Sequence, residues 1–225
     1  MLFRSDLIYA RPSQSLGAWE SELERALSFG TEHLSLYQLT IEPGTQFASR
    51  FAKGELTPLD PDAAADMFEF TRARTRAAGL PAYEISNHAH RGAESRHNLA
   101  YWRYENYAGI GPGAHGRRDG RATARRKKPE NWLSQVALQG HGLELDEVLP
   151  AAARAQEALL MGLRLDEGVD LKRIKAMTGI DNLIDSAAER RLVDQGLLIR
   201  RGDQIQVTEP GMLLLDAILA DLVAV

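Results

Sequence analysis

At 225 residues with 44% hydrophobic content, the chain has room for one large domain or for a domain and a smaller companion, each with its own core, and two units are expected. Charged residues make up 26% and the net charge is −4, so there is no global basic field to draw nucleic acid and no strongly acidic tail. With no cysteine, these residues supply no disulfide, no thiolate zinc site, no cysteine nucleophile and no thiolate-held iron–sulfur cluster. The opening Met-Leu-Phe-Arg-Ser-Asp is too short in apolar length for a signal segment, and no uninterrupted apolar run approaches the roughly 20 residues of a membrane span. A soluble cytoplasmic protein is expected.

Leu7-Ile8-Tyr9 is a short apolar run ending at the turn signal Arg11-Pro12-Ser13, which predicts a buried strand. A domain opening on such a strand reads as truncated, so an open sheet edge and self-association are expected. Leu16, Trp19, Leu23, Ala26 and Leu27 then recur at helical spacing between a cap at Ser15 and a stop at Gly30. Leu34 to Leu39 predicts a second strand. Asp60-Pro61, a cap followed by a first-turn proline, opens a helix running to Ala78 and stopping at Gly79, and a third strand is placed near Ala82 to Ile85. Strand, helix, strand, helix, strand is the pattern of parallel βαβ units, so residues 1–116 read as part of an α/β sheet or barrel.

From Gly116 to Pro129 the composition turns basic, with Arg117, Arg118, Arg121, Arg125, Arg126, Lys127 and Lys128 against Asp119 alone. This reads as a solvated hairpin and linker over residues 117–144, with Asp119-Gly120 at the turn, and less readily as a phosphate-binding patch. In residues 145–225, Ala155, Ala158, Leu159 and Leu163 mark a helix, Leu171 to Met177 a short one, and Leu183 to Gln195 a third. Leu197, Ile199, Ile205 and Val207 alternate about Arg201-Gly202-Asp203 as a hairpin, and Met212 to Val223 reads as a final helix. This is a winged-helix-like order. Nucleic-acid binding is not expected of it, because Asp181, Asp185, Glu189 and Asp194 outnumber Arg190 and Arg191 on and just before the third helix.

The densest chemical constellation lies between Tyr83 and Gly116, where four of the six histidines fall among Tyr101, Trp102 and Tyr104. A neutral histidine facing a pocket can ligate haem iron, and tyrosine and tryptophan faces offer apolar area to a porphyrin. On the residues alone, a hydrogen-bonded structural role is the more common one for such a histidine. His88 and His90, with Glu94 and His97, leave a nitrogen- and oxygen-ligated zinc or iron site open. The glycines of Gly109-Ile-Gly-Pro-Gly-Ala-His-Gly116 permit close approach to a ligand or close packing of two elements, but lack the order of a phosphate or dinucleotide loop.

His97-Asn98-Leu99-Ala100-Tyr101-Trp102 resembles the His-Asn-x-x-Tyr-Trp haem-binding motif of HemW-type haem chaperones, flanked by Tyr-Glu-Ile-Ser-Asn upstream and Gly-Ile-Gly-Pro-Gly-Ala-His-Gly downstream. Asp6-Leu7-Ile8-Tyr9 with Pro12 and Gln14, the block from Ser35 to Thr45, and Met161-Gly162-Leu163-Arg164 with Glu167-Gly168 resemble further family blocks. The family is similar to oxygen-independent coproporphyrinogen III oxidases. The resemblance therefore implies a portion of an incomplete (β/α) radical S-adenosylmethionine barrel followed by a winged-helix-like domain. It implies haem as cargo, with S-adenosylmethionine and a 4Fe-4S cluster as cofactors of the full-length family, whose Cys-x-x-x-Cys-x-x-Cys segment is missing here. It further implies haem-accepting proteins as partners, a membrane-associated recipient among them. By the same resemblance His97 ligates the iron, Asn98 orients it or a propionate, Tyr101 and Trp102 wall the pocket, Asp6 and Thr40 face the nucleoside, and His115 lies near its adenine. The alternative implied is a radical-generating porphyrinogen oxidase, against which the lack of cysteine stands. Ala10, Arg11 and Ser13 depart from the family's Gly, Leu and Gly, and His88 stands where phenylalanine is usual.

Overall fold

The computed structural model describes residues 4–224; Met1-Leu2-Phe3, part of the opening read as too short for a signal segment, lie outside the described residues. The chain divides into two compact units, residues 1–94 and residues 95–225.

In the first unit, β1 (Arg4–Tyr9) leads through α1 (Leu16–Ser28) to β2 (His33–Gln38), which pairs with β1 in parallel, Leu7 opposite Leu36. Ser15 caps α1 as expected, its side chain accepting the Ala18 N–H at 3.2 Å, and the helix buries Trp19, Leu23 and Ala26 at one-turn spacings. The exposed α2 (Gln46–Ala52) begins at the cap Thr45, and α3 (Pro61–Ala77) at the cap Asp60. Met67, Phe68, Thr71 and Thr75 are buried on α3, where the Thr71 hydroxyl accepts the Trp19 indole N–H at 2.7 Å.

The third strand departs from expectation. It is β3 (Asn87–Ala89), later than Ala82 to Ile85, and it pairs antiparallel to β2. The reason is Glu84, whose buried carboxylate accepts the Ser86 N–H at 2.9 Å and the Asn87 side-chain amide, folding residues 83–86 into a turn before the strand begins. The Tyr83 N–H then closes onto the Asn87 carbonyl at 3.0 Å, so the chain doubles back and β3 enters the sheet reversed.

The second unit opens with α4 (Arg96–Trp102), followed by the hairpin β4 (His115–Arg118) and β5 (Arg121–Arg125), α5 (Pro129–Gln139) and β6 (Leu143–Val148). Asp119 and Gly120 form the turn, both with positive φ, as two-residue hairpins require. Residues 117–144 hold more than a hairpin and linker, since α5 intervenes and β6 completes an antiparallel sheet ordered β4-β5-β6.

Then come α6 (Ala151–Gly162), β7 (Val169–Asp170), α7 (Leu171–Thr178), α8 (Ser186–Asp194), β8 (Leu198–Arg201) and β9 (Gln204–Val207), the element order of a winged helix. The two-residue β7, not anticipated, makes the wing a sheet ordered β7-β9-β8. Helix α8 starts later than Leu183 because Asp185 is its cap, accepting the Ala187 and Ala188 N–H groups at 2.8 and 2.7 Å. The final helix is broken into α9 (Glu209–Met212) and α10 (Leu215–Leu222), while Ile184 bridges Val223. Leu159, Leu163, Leu165, Ile174, Ile205 and Leu222 fill the core, each at most 1% exposed. Among the described residues no helix is long and apolar enough to cross a membrane.

Candidate functional site

Helix α4 carries the His97–Trp102 block. Ser95 caps it, its hydroxyl accepting the Asn98 N–H at 3.4 Å. His97 and Tyr101 are one turn apart on one face, so their rings meet with centroids 6.1 Å apart and planes inclined by 34°. Tyr101 in turn leans on Tyr107 at 4.6 Å, so His97 is exposed in front of a half-buried aromatic pair. Asn98 and Trp102 lie about 100° round the helix from these two. Both are half-buried, and the Arg164 guanidinium covers the Trp102 ring at 5.9 Å, a cation–π contact.

Behind the aromatic pair is a polar clamp. Glu157 on α6 accepts the Tyr104 hydroxyl at 2.7 Å and the Arg117 guanidinium bidentately at 3.0 and 2.9 Å. Burial opposes the Glu157 charge, but the Arg117 and Tyr104 hydrogen bonds and the Arg117 charge outweigh it and hold the carboxyl below its usual range. Burial and this carboxylate push the Tyr104 phenol well above its ordinary value, and burial with a hydrogen bond to Tyr101 does the same for Tyr107. Tyr107 and Arg117 exchange backbone hydrogen bonds at 2.7 and 3.1 Å. The residues just after α4 are thereby tied to β4 and α6. Nothing in the residue pattern marked Glu157; only its place on the inward side of α6, opposite a tyrosine and an arginine distant in sequence, gives it this role.

The glycine run serves close packing. A side chain at Gly109 would strike the His115 carbonyl, and one at Gly116 would come within 2.6 Å of the Thr123 hydroxyl. His115 itself is exposed at the start of β4, opposite Ala124. Asp6 and Thr40 belong to the first unit. Asp6 is exposed within β1, in register with Ser35, and Thr40 lies two residues beyond the end of β2, its hydroxyl donating to Glu42 at 3.1 Å. The open zinc or iron reading finds no support. His88 is 2% exposed with Nδ1 2.9 Å from the Thr75 hydroxyl, and burial, then the charges on Arg72 and His33, push its pKa down to about 3. His90 is bonded to the Gly79 carbonyl at 2.8 Å, and among the described residues no cluster of three metal-ligating side chains occurs.

The turn after β1 explains two of the departures. Ala10 and Ser13 have φ of 54° and 61°, the left-handed region in which the family's glycines carry no penalty. Ser13 is exposed, so Ser13→Gly should raise stability by about 0.5–1 kcal/mol in urea unfolding. Ala10 is 5% exposed, and losing its buried methyl offsets a similar gain, so Ala10→Gly should be close to neutral. Equal gains at both positions would contradict this account.

Residues 149–214 match the model of the HemN C-terminal domain family. The chain is 37% identical over 96% of its length to "Radical S-adenosyl methionine domain-containing protein 1, mitochondrial" of Mus musculus, covering 52% of that protein. It is 36% identical over 96% of its length to "Heme chaperone HemW" of Escherichia coli and 34% over 93% to that of Bacillus subtilis, covering 56% and 55% of them. It thus spans about half the length of the curated relatives it matches. In fold it is similar to the Escherichia coli coproporphyrinogen III oxidase HemN, described as a radical SAM enzyme, with a TM-score of 0.74 at 20% identity, over 96% of this chain and 54% of that one. With the ordered α/β elements of the first unit, the winged-helix-like end and the blocks from Asp6 to Gly168, the chain is similar over nearly its whole length to about half of the HemW-type radical S-adenosylmethionine proteins, and its residues 149–214 belong to the HemN C-terminal domain family.

Proposed function

We propose that this chain is a haem-binding module of a HemW-type chaperone that carries haem for transfer to haem proteins. His97 is the axial iron ligand, Tyr101 and Trp102 supply apolar wall, and Asn98 orients the imidazole or a propionate. The supporting observation is how the histidine rings are used. His33 is bonded to Tyr83 at 2.9 Å, His88 to Thr75, His90 to Gly79, and His141 accepts the Leu143 N–H at 3.3 Å. His97 and His115 instead stand exposed, the state in which an imidazole nitrogen reaches iron without first breaking an internal bond, and of these two it is His97 whose ring lies against an aromatic neighbour that can wall a porphyrin.

Haem titration followed by the Soret band tests this. His97→Ala should shift the bound spectrum or weaken binding at least tenfold, because it removes the iron ligand. Trp102→Ala should weaken binding through lost apolar area and leave the coordination spectrum unchanged. A changed spectrum for His115→Ala with an unchanged one for His97→Ala would move the ligand and sink the residue assignment.

Asp6, Thr40 and His115 are proposed to face the nucleoside of S-adenosylmethionine in the complete protein. The 4Fe-4S cluster that reduces it needs thiolates, and these residues contain none, so no radical step is assigned to this chain. The porphyrinogen oxidase alternative is correspondingly weaker. The proposed setting is cytoplasmic, with haem-accepting proteins, a membrane-associated one among them, as partners, and with self-association of the chain.

A further inference from the structure

Between the β4–β5 turn, the loop following α4 and the start of α6 lies a cleft of about 400 Å³ whose lining includes Arg117, Arg118, Arg121 and Arg154. The acids lining it are Glu105 and Asp119. Three of the four guanidiniums have a carboxylate already: Arg117 with Glu157 at 2.9 Å, Arg121 with Asp146 at 2.8 Å, and Arg118 with Asp119 at 3.3 Å, where both side chains are about 70% exposed or more. Arg154 pairs with no carboxylate among the described residues, and its Nε is shut off from solvent without a hydrogen-bond partner.

The setting of Arg154 is built rather than incidental. A side chain on Gly120 would come 3.2 Å from Arg154 Nη1, and Gly120 has φ +75°, so the turn glycine both shapes the hairpin and leaves space for the guanidinium. Arg154 stands in the first turn of α6, whose N-terminus has no side-chain cap, and Leu149 beside that end lines the cleft. The positive end of a twelve-residue helix therefore adds to the guanidinium field. The closed-off Nε leaves the Nη end of the planar fork, which carries no described hydrogen bond, to face the cleft, and it suits an acceptor with two coplanar or tetrahedral oxygens.

We propose that this cleft binds a compact anion, a carboxylate or phosphate group of a small molecule, with Arg154 as its principal contact and Arg118 as a second. An extended polyanion fits less well, because Asp119, Asp146 and Glu157 hold the neighbouring guanidiniums and repel a long phosphate chain. The site is distinct from His97 and does not depend on the haem reading.

Calorimetric titration of the full chain at low salt with pyrophosphate, and separately with citrate, tests it, the two probes separating phosphate from carboxylate recognition. At least one should bind saturably at one site per chain, about tenfold more weakly in Arg154→Gln and several-fold more weakly in Arg118→Ala. Arg118 is 75% exposed, so its variant keeps the test valid if Arg154→Gln does not fold. Absence of saturable binding by either probe, or parental affinity in the folded variants, would overturn the proposal.

Discussion

Gly168→Ala should destabilise the second unit by roughly 2–5 kcal/mol, against about 1 kcal/mol for Gly202→Ala, although both glycines sit in turns flanking the same sheet. Gly168 has φ +70°, so any side chain costs the left-handed penalty there. Its added Cβ would also stand 2.8 Å from Gln206 Cα and closer still to the Ile205 carbonyl. Those atoms are the backbone of β9, the central strand, held by β8 on one side and by Val169 opposite Ile205 on the other. The strand cannot step aside without loosening both ladders. The Gln204 and Gln206 side-chain amides also bind the Glu167 and Asp166 carbonyls, at 2.6 and 2.5 Å, locking the turn to the same strand. Gly202 has φ +61° but nothing within 4 Å of a built Cβ, so only the conformational cost applies. Urea unfolding followed by circular dichroism separates the two cases. Similar losses at both positions would show that the close approach to β9 carries no energy.

Local signals were readable wherever a side chain acts on its own backbone. Ser15, Asp60 and Gly79 punctuate α1 and α3 because capping is a matter of three or four residues, and Asp119-Gly120 marks its hairpin for the same reason. What failed depends on partners far along the chain. Glu84 turns the backbone only because its carboxylate is buried against Asn87 and Ser86, and the outcome is a reversed third strand where the pattern of alternating elements suggested a parallel one. The strand β7 is two residues long and exists by virtue of β9, more than thirty residues later. The break between α9 and α10 falls within an unbroken apolar run, so hydrophobic pattern alone could not reveal it. At the candidate site, the His97–Trp102 block was legible as a motif and its residues do share α4. The clamp of Tyr104, Arg117 and Glu157 was not, because those positions are separated by up to 53 residues and none carries a motif of its own.

Trp19→Ala should cost the first unit about 3–5 kcal/mol, the range for emptying a large aromatic site that cannot collapse. Trp19 has no exposed surface, and its ring stacks on Tyr9 with centroids 5.1 Å apart and planes 20° from parallel. It therefore joins β1 to α1, and through its indole N–H on Thr71 it joins both to α3. Burial also pushes the Tyr9 phenol well above its ordinary value, so Tyr9 stays neutral and acts as packing at any physiological pH. Trp19→Phe keeps most of the apolar volume while losing the indole N–H, and should cost only about 1–2 kcal/mol. Thr71 does not become an orphan in that variant, since its hydroxyl also donates to the Met67 carbonyl at 2.6 Å. The order expected in equilibrium unfolding is parent, then Trp19→Phe, then Trp19→Ala. Since Asp6 lies on β1 and Thr40 follows β2, the alanine variant should also shift these two positions, whereas the phenylalanine variant should not. A Trp19→Ala loss no greater than that of Trp19→Phe would mean that the hydrogen bond to Thr71, and not the filled volume between strand and helices, holds this unit together.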